Sequence, residues 1–275
     1  IRRKKKKETK INSSRLRITM KYLTIILLLL PCLCRAQYNS HEKKNEVIDL
    51  HLPVNQPATL HKNAWLRAAE VPAVLVGLGI YSWKSTKIIN RMEIREERNE
   101  YMPHFKHNAD NYLQFAPALA VYGLNALGIQ GKNTFANRTA ILVKTQLILV
   151  AITYPLKRIT HVPRPDTGQP TSFPSGHTAE AFAAATFLAK EYGDQSIWYA
   201  VGGYTAATGI GVMRILNNRH WISDVLAGAG IGILSTNIAY LTHRYKWGNK
   251  QHKALVMPTY SGGASAGVYM SYRLN

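Results

Sequence analysis

The chain has 275 residues, a formal net charge of +20 and two cysteines, Cys32 and Cys34. Much of the charge sits in residues 1–19, which hold nine Lys/Arg and one Glu and read as upstream sequence or a mis-set start ahead of Met20. No nucleic-acid-binding pattern follows this basic run, so its charge does not point to DNA or RNA as partner.

Residues 20–36, "MKYLTIILLLLPCLCRA", read as a signal peptide: a basic Lys21, an apolar run from Leu23 to Leu33, and a Cys34-Arg35-Ala36 end. Without residues 1–36 the charge falls to +10 and no cysteine remains, which excludes disulfides and thiolate metal sites from the mature chain. The remaining positive charge suits an anionic membrane surface or a phosphorylated substrate.

Residues 37–64 are polar, with Pro53 and Pro57. Apolar segments follow at about 65–83, 111–129, 139–156, 177–190, 196–213 and 221–242, with no internal repeat. Each approaches the ~20 residues that span a bilayer. Small residues abound, as in "AGAGIGILSTNIAY", which suits closely packed helices in lipid. The expected fold is therefore all-α: an integral membrane bundle of five to six apolar helices with its site at one membrane face. A soluble helical domain with a very apolar core is the alternative. Within a 37–110 N-terminal region, the mixed-charge stretch 84–110 predicts an amphipathic helix on a membrane surface or a solvated helix. Residues 111–242 form the expected core. The basic tail 243–275 holds a Gly262-Gly263 turn between Tyr- and Val-containing flanks, a β-hairpin pattern.

Three polar groups interrupt the apolar segments: Lys157-x6-Arg164-Pro165, then Pro174-Ser175-Gly176-His177, then Arg214-x5-His220-x3-Asp224. If the helices between them all cross one layer, the three groups meet on one face. Lys157, Arg164 and Arg214 supply three cations for a dianionic phosphoryl group. Ser175 and Gly176 add hydroxyl and backbone N–H donors at a helix start. His220 and Asp224, at i and i+4, share a helical face. Asp224 then takes one ring N–H and leaves the other nitrogen as a nucleophile. His177 is placed to protonate a leaving alkoxide. Each residue also has an ordinary reading: a capping or snorkelling cation, a hydrogen-bonded buried histidine, a first-turn carboxylate.

These three groups resemble the signature of the type 2 phosphatidic acid phosphatase superfamily, which includes class A acid phosphatases and lipid phosphate phosphatases. The motifs cover residues 157–224, and the helix pattern extends the likeness to 111–242. The resemblance implies a metal-independent phosphomonoesterase with no cofactor. It gives His220 as nucleophile, Asp224 as its orienting partner and His177 as general acid. Lys157, Arg164, Ser175, Gly176 and Arg214 hold the phosphate. One departure stands before Arg214, where Met213 replaces the family's usual serine. The flanking helices are similar to membrane-bound members from Gram-negative bacteria, including lipid A phosphatases. That implies a lipid phosphate substrate and the membrane as partner; the sequence specifies no oligomeric state. A soluble periplasmic acid phosphatase and a vanadate haloperoxidase are the competing enzymes, and a membrane scaffold the non-enzymatic one.

Basic residues after Leu241 (Arg244, Lys246, Lys250 and Lys253) favour a cytoplasmic tail, which puts the motif face in the periplasm of a bacterial inner membrane. A signal peptide also delivers residue 37 to the periplasm. The two fit together if one apolar segment does not cross. Segment 65–83, with Arg67, Glu70 and Pro72, is the expected exception.

Overall fold

The computed structural model describes residues 59–85 and 89–243, and the backbone of two strands at 254–261 and 265–272. The expected leader at 20–36, the segments before it and after it to residue 58, and the basic residues 244–253 lie outside the described residues.

Eight helices are described: α1 (Thr59–Lys84), α2 (Arg91–Tyr101), α3 (Asp110–Leu113), α4 (Ala116–Ala126), α5 (Phe135–Thr160), α6 (Gly176–Tyr192), α7 (Ile197–Leu216) and α8 (Ile222–Leu241). Strand β1 (Ala254–Ser261) pairs antiparallel with β2 (Ser265–Tyr272), from Ala254 opposite Tyr272 to Ser261 opposite Ser265.

The bundle is organised around α6, whose residues Thr178, Phe182, Phe187 and Tyr192 are fully buried. Its neighbours can be aligned contact by contact. α8 runs parallel to it: a Cβ at Gly228 would lie 2.6 Å from Ser175 O, and Thr236 Oγ1 donates to Ala183 O at 3.1 Å. α7 runs antiparallel, with Gly203 against Ala185 and Gly211 against Thr178. α5 also runs antiparallel, with Gln146 on Glu180 at 2.6 Å and Arg138 on Glu191 at 3.4 Å. α3 and α4 together run parallel, from Asn111 beside His177 to Val121 O, which accepts from Tyr192 Oη at 3.0 Å. α1 lies antiparallel to α8: Gly79 faces Ser223 and Ala227, Gly230 faces Pro72, and Asn237 Nδ2 donates to Ala68 O at 2.9 Å. The glycines of "AGAGIGIL" are what permit this. Cβ atoms at Gly228 and Gly230 would strike the backbones of α6 and α1, so α8 sits backbone to backbone between them.

The chain therefore runs the length of the bundle six times, by α1, α3–α4, α5, α6, α7 and α8. The loops α5–α6 and α7–α8 and the C-terminal end of α1 share one end. Three helical segments, Ala64–Lys84, Phe135–Thr160 and Ile222–Leu241, are long and apolar enough to cross a membrane. Pro72 lies inside an unbroken α1. Geometry thus gives no reason to single out 65–83 as the segment that stays out of the layer. The outer face of α5 leaves Val143, Leu147, Val150 and Tyr154 exposed at helical spacing. This is an unpartnered apolar stripe of the kind that lipid covers.

The mixed-charge stretch 84–110 contains α2, capped by Asn90, whose Oδ1 accepts from Met92 N at 3.0 Å. Ile94 and Arg98 are buried against the bundle end, while Met92 and Glu93 point outward.

Candidate active site

The three sequence groups meet at the end of the bundle where α5 stops and α6 and α8 begin. Pro163 and Pro165 forbid continuation of α5, and His161 turns the chain with φ 47°. The loop that follows closes on itself through Ser172 N to Val162 O at 2.9 Å and Arg164 N to Gln169 O at 2.9 Å. Lys157, one turn before the end of α5, reaches across and donates to Thr171 O at 2.9 Å and Pro174 O at 2.6 Å. Its ammonium fixes the loop that leads into α6.

At the other turn, Asn218 (φ 56°) reverses the chain after α7 and Trp221 precedes α8. Asp224, in the first turn of α8, is fully buried. Its Oδ2 accepts from Ser172 Oγ at 2.5 Å and Trp221 N at 3.0 Å, and lies 3.4 Å from His220 Nδ1. Ser223 Oγ donates to Oδ1 at 3.1 Å. The ordinary and the functional readings of Asp224 thus coexist. One carboxylate satisfies a helix N-terminus and faces an imidazole. Nδ1 of His220 is turned to Asp224, so Nε2 is the ring nitrogen directed away from it. Burial lowers the His220 pKa to about 4 against the opposing pull of Asp224, with Lys157 and Arg214 adding to the lowering.

Ser175 N donates to Asp224 O at 2.9 Å, which ties the start of α6 to the start of α8. The Ser175 hydroxyl acts as the N-cap of α6, accepting from Thr178 N at 3.4 Å and pairing with Thr178 Oγ1 at 2.9 Å. A Cβ at Gly176 would meet nothing within 4 Å, so the backbone there borders open space. His177 follows at the helix mouth, with Nε2 2.8 Å from Asn111 Oδ1. Arg214, Arg164 and His220 are all within electrostatic reach of it.

Arg164 Nε donates to Thr171 Oγ1 at 3.3 Å. Burial, then the charge of Arg214, lowers the Arg164 pKa from its ordinary value. Arg214 Nη1 is paired with buried Asp110 Oδ2 at 2.7 Å. Asn217 Nδ2 also donates to that oxygen at 3.1 Å. Arg214 Nε and Asp110 Oδ1 are buried without a hydrogen-bond partner. Such an unpaired donor costs about 1–3 kcal/mol and favours an anion that would satisfy it.

All eight residues singled out in the sequence therefore lie on the two loops and the helix ends that flank them. Three residues at this site escaped sequence reasoning: Asp110 behind Arg214, Asn111 on His177, and Ser172 on Asp224. Asp110 and Asn111 stand at the boundary between the mixed-charge stretch and an apolar segment, a position that marks a helix start rather than a site. Ser172 is three residues before Ser175 in the same turn, and nothing in the spacing separates the serine that contacts Asp224 from the one that caps α6.

Residues 138–248 match the family model of the PAP2 superfamily. A lipid A 1-phosphatase from Porphyromonas gingivalis is 40% identical over 152 residues, covering 54% of this chain and 33% of that protein. The chain thus spans about a third of the length of this curated relative. Among solved structures, LpxE of Aquifex aeolicus is similar with a TM-score of 0.41 and 24% identity, over 54% of this chain and 93% of that one. The first transmembrane PAP2-type phosphatidylglycerolphosphate phosphatase from Bacillus subtilis is similar with a TM-score of 0.42 and 15% identity, over 64% of this chain and 94% of that one.

Proposed function

We propose, from the match of residues 138–248 to the family model of the PAP2 superfamily, that this chain is a membrane-embedded phosphatase acting on the phosphomonoester of a lipid A-like lipid. The observation that carries the reading is the buried contact of His220 with an Asp224 already committed to Ser172 and Trp221, opposite His177 and beside two arginines. The identity to a lipid A 1-phosphatase supports the substrate class.

In this reading the phosphate dianion docks against Arg164 and Arg214, over the open backbone at Gly176. Lys157 adds its charge and holds the loop, and Ser175 shapes the helix mouth. With its pKa held at about 4 by burial, His220 is neutral near pH 7 and its Nε2 lone pair is available. Nε2 attacks phosphorus as the bond to the lipid oxygen breaks. Asp224 takes the Nδ1–H hydrogen bond and stabilises the positive ring that forms. His177 acts as the imidazolium, a charge the bound phosphate dianion favours: its Nε2–H is held by Asn111 Oδ1, and its Nδ1–H passes a proton to the leaving oxygen, which leaves the ring neutral. Water then attacks phosphorus and gives a proton back to His177 as the phosphorus–nitrogen bond breaks, releasing inorganic phosphate and free His220. No step calls on a metal or cofactor.

The exposed apolar stripe on α5 and the three helices long enough to cross support an integral membrane protein. Six traversals put residues 59 and 243 at the same end, opposite the motifs. The basic residues that follow α8 in sequence favour the cytoplasm for that end, and so the periplasm for the site. This arrangement gives up the expectation that residues 20–36 deliver residue 37 to the periplasm, because residue 59 then shares the cytoplasmic side with the tail.

The test is phosphate release from detergent-dispersed lipid A by the full chain and by His220→Ala, with excess chelator. The expected result is chelator-resistant release that falls at least about a thousandfold in the variant. Equal release by the two proteins would end this reading. A preference for a small soluble phosphomonoester over lipid A would instead favour a broad acid phosphatase.

A further inference from the structure

Helix α2 lies outside the residues matched by the family model, yet one of its faces is turned to both loops of the site. Arg91, Arg95 and Arg98 fall at i, i+4 and i+7 on that face. The guanidinium carbons of Arg91 and Arg95 lie 5.0 and 5.3 Å from the centroid of the Trp221 indole. Arg95 Nη2 donates to Pro165 O at 2.8 Å. Arg98 Nε donates to Leu216 O at 2.7 Å and Nη2 to Phe105 O at 3.2 Å.

The residues gripped are the neighbours of the chemistry. Pro165 follows Arg164. Leu216 ends α7 two residues after Arg214. Trp221 follows His220, and its backbone N–H is one of the donors that hold Asp224. The indole Nε1 donates back to Pro163 O at 2.8 Å, so Trp221 already ties one loop to the other. Arg219 and Asp166 add an ion pair at 3.0 Å between the same two loops. Buried arginine nitrogens are costly when unpaired. Arg91 Nη1 and Arg95 Nε are buried and have no hydrogen-bond partner, so these side chains are placed for the indole rather than for a full set of acceptors.

We propose that Arg91, Arg95 and Arg98 are positioning residues: α2 clamps loop 161–175 to turn 217–221 and sets the spacing between Arg164 and His220 without touching the reacting phosphate. The proposal rests on the phosphatase reading above. A misplacement of about 1 Å costs up to about a hundredfold in rate, so loosening the clamp is expected in kcat rather than in binding.

The experiment compares the full chain with Arg91→Gln/Arg95→Gln and with Arg91→Lys/Arg95→Lys, on lipid A. The glutamine pair is expected to lower kcat by about tenfold or more while KM stays within about twofold. The lysine pair is expected to recover most of kcat, because an ammonium also sits favourably over an indole face. Amide exchange in 161–175 and 217–224 is expected to quicken in the glutamine pair while α6 stays protected. A loss carried by KM would mean that the arginines touch substrate and would overturn the proposal, as would unchanged kcat and exchange. If the wild type releases no phosphate, the function fails alone, and the exchange result still decides the clamp. If the glutamine pair does not fold, Arg95→Gln alone carries the test: a kcat loss at constant KM with faster exchange in 161–175 is expected, and unchanged kcat and exchange would overturn the proposal.

Discussion

Asp224 is the most constrained side chain of the site, held at Oδ2 by Ser172 Oγ and Trp221 N and at Oδ1 by Ser223 Oγ. Removing one charge there leaves those donors facing an amide. Asp224→Asn is expected to lower kcat by about a hundredfold or more, and Ser172→Ala by a smaller factor, because a serine contributes one hydrogen bond rather than the charge. Steady-state kinetics on folded variants measures both, and an unaffected Asp224→Asn enzyme would remove the orienting role. The pH profile follows from burial. His220 must be neutral to attack, and it takes up a proton only as pH falls toward about 4. The acid limb of kcat, read with the phosphate already bound, is therefore expected near 4, well below the ~6.5 of an exposed histidine. A limb at 6.5 or above would show that burial does not govern it. Residue types and spacing brought His220 and Asp224 to notice in the sequence, but not through a shared helical face: His220 lies in the turn before α8, and it meets Asp224 because that carboxylate folds back over the start of the helix. Asp110, Asn111 and Ser172 were not legible. Their roles depend on which strand of backbone passes behind the site, and no local pattern encodes that.

At the level of elements, the site is positioned by how closely α8 approaches its neighbours. The small-residue run was readable as a packing surface, but its two partners were not, since α1 and α6 are distant in sequence from it. A Cβ at Gly228 would lie 2.6 Å from Ser175 O, at the very start of α6. Gly228→Ala is expected to push α8 from α6, costing about 1–3 kcal/mol and lowering activity together with thermal stability. Gly77→Ala, where a Cβ meets nothing within 4 Å, is the control and should leave the melting temperature unchanged or raised. Equal melting temperatures for the two variants would contradict the packing account. The mixed-charge stretch was legible as a helix, but its contacts with the two loops were not. Its polar residues read as solvated in sequence, and only the fold shows Arg91 and Arg95 stacked on Trp221.

For the whole molecule, hydropathy marked six segments, and each lies on one lengthwise run of the described bundle, one of them as the broken pair α3–α4; three of the six are long and apolar enough to cross a membrane. Arg67, Glu70 and Pro72, the residues that set 65–83 apart in the sequence, sit in one unbroken helix packed on α8. With both ends of 59–243 at one face, orientation becomes a single question. In a chain with Cys32 and Cys34 replaced by serine, Thr167→Cys lies on the exposed α5–α6 loop and Asp194→Cys beyond the opposite end of α6. A membrane-impermeant thiol reagent on intact cells is expected to label the first and to reach the second only after permeabilisation. The reverse pattern would place the motifs in the cytoplasm.

The most direct test of the central claim is to quench the full chain during turnover of lipid A and map covalent phosphate on its peptides. The account predicts an acid-labile, base-stable phosphate on His220, present in wild type and absent in His220→Ala. Turnover with no phosphate on any histidine, or with phosphate on a different residue, would contradict it.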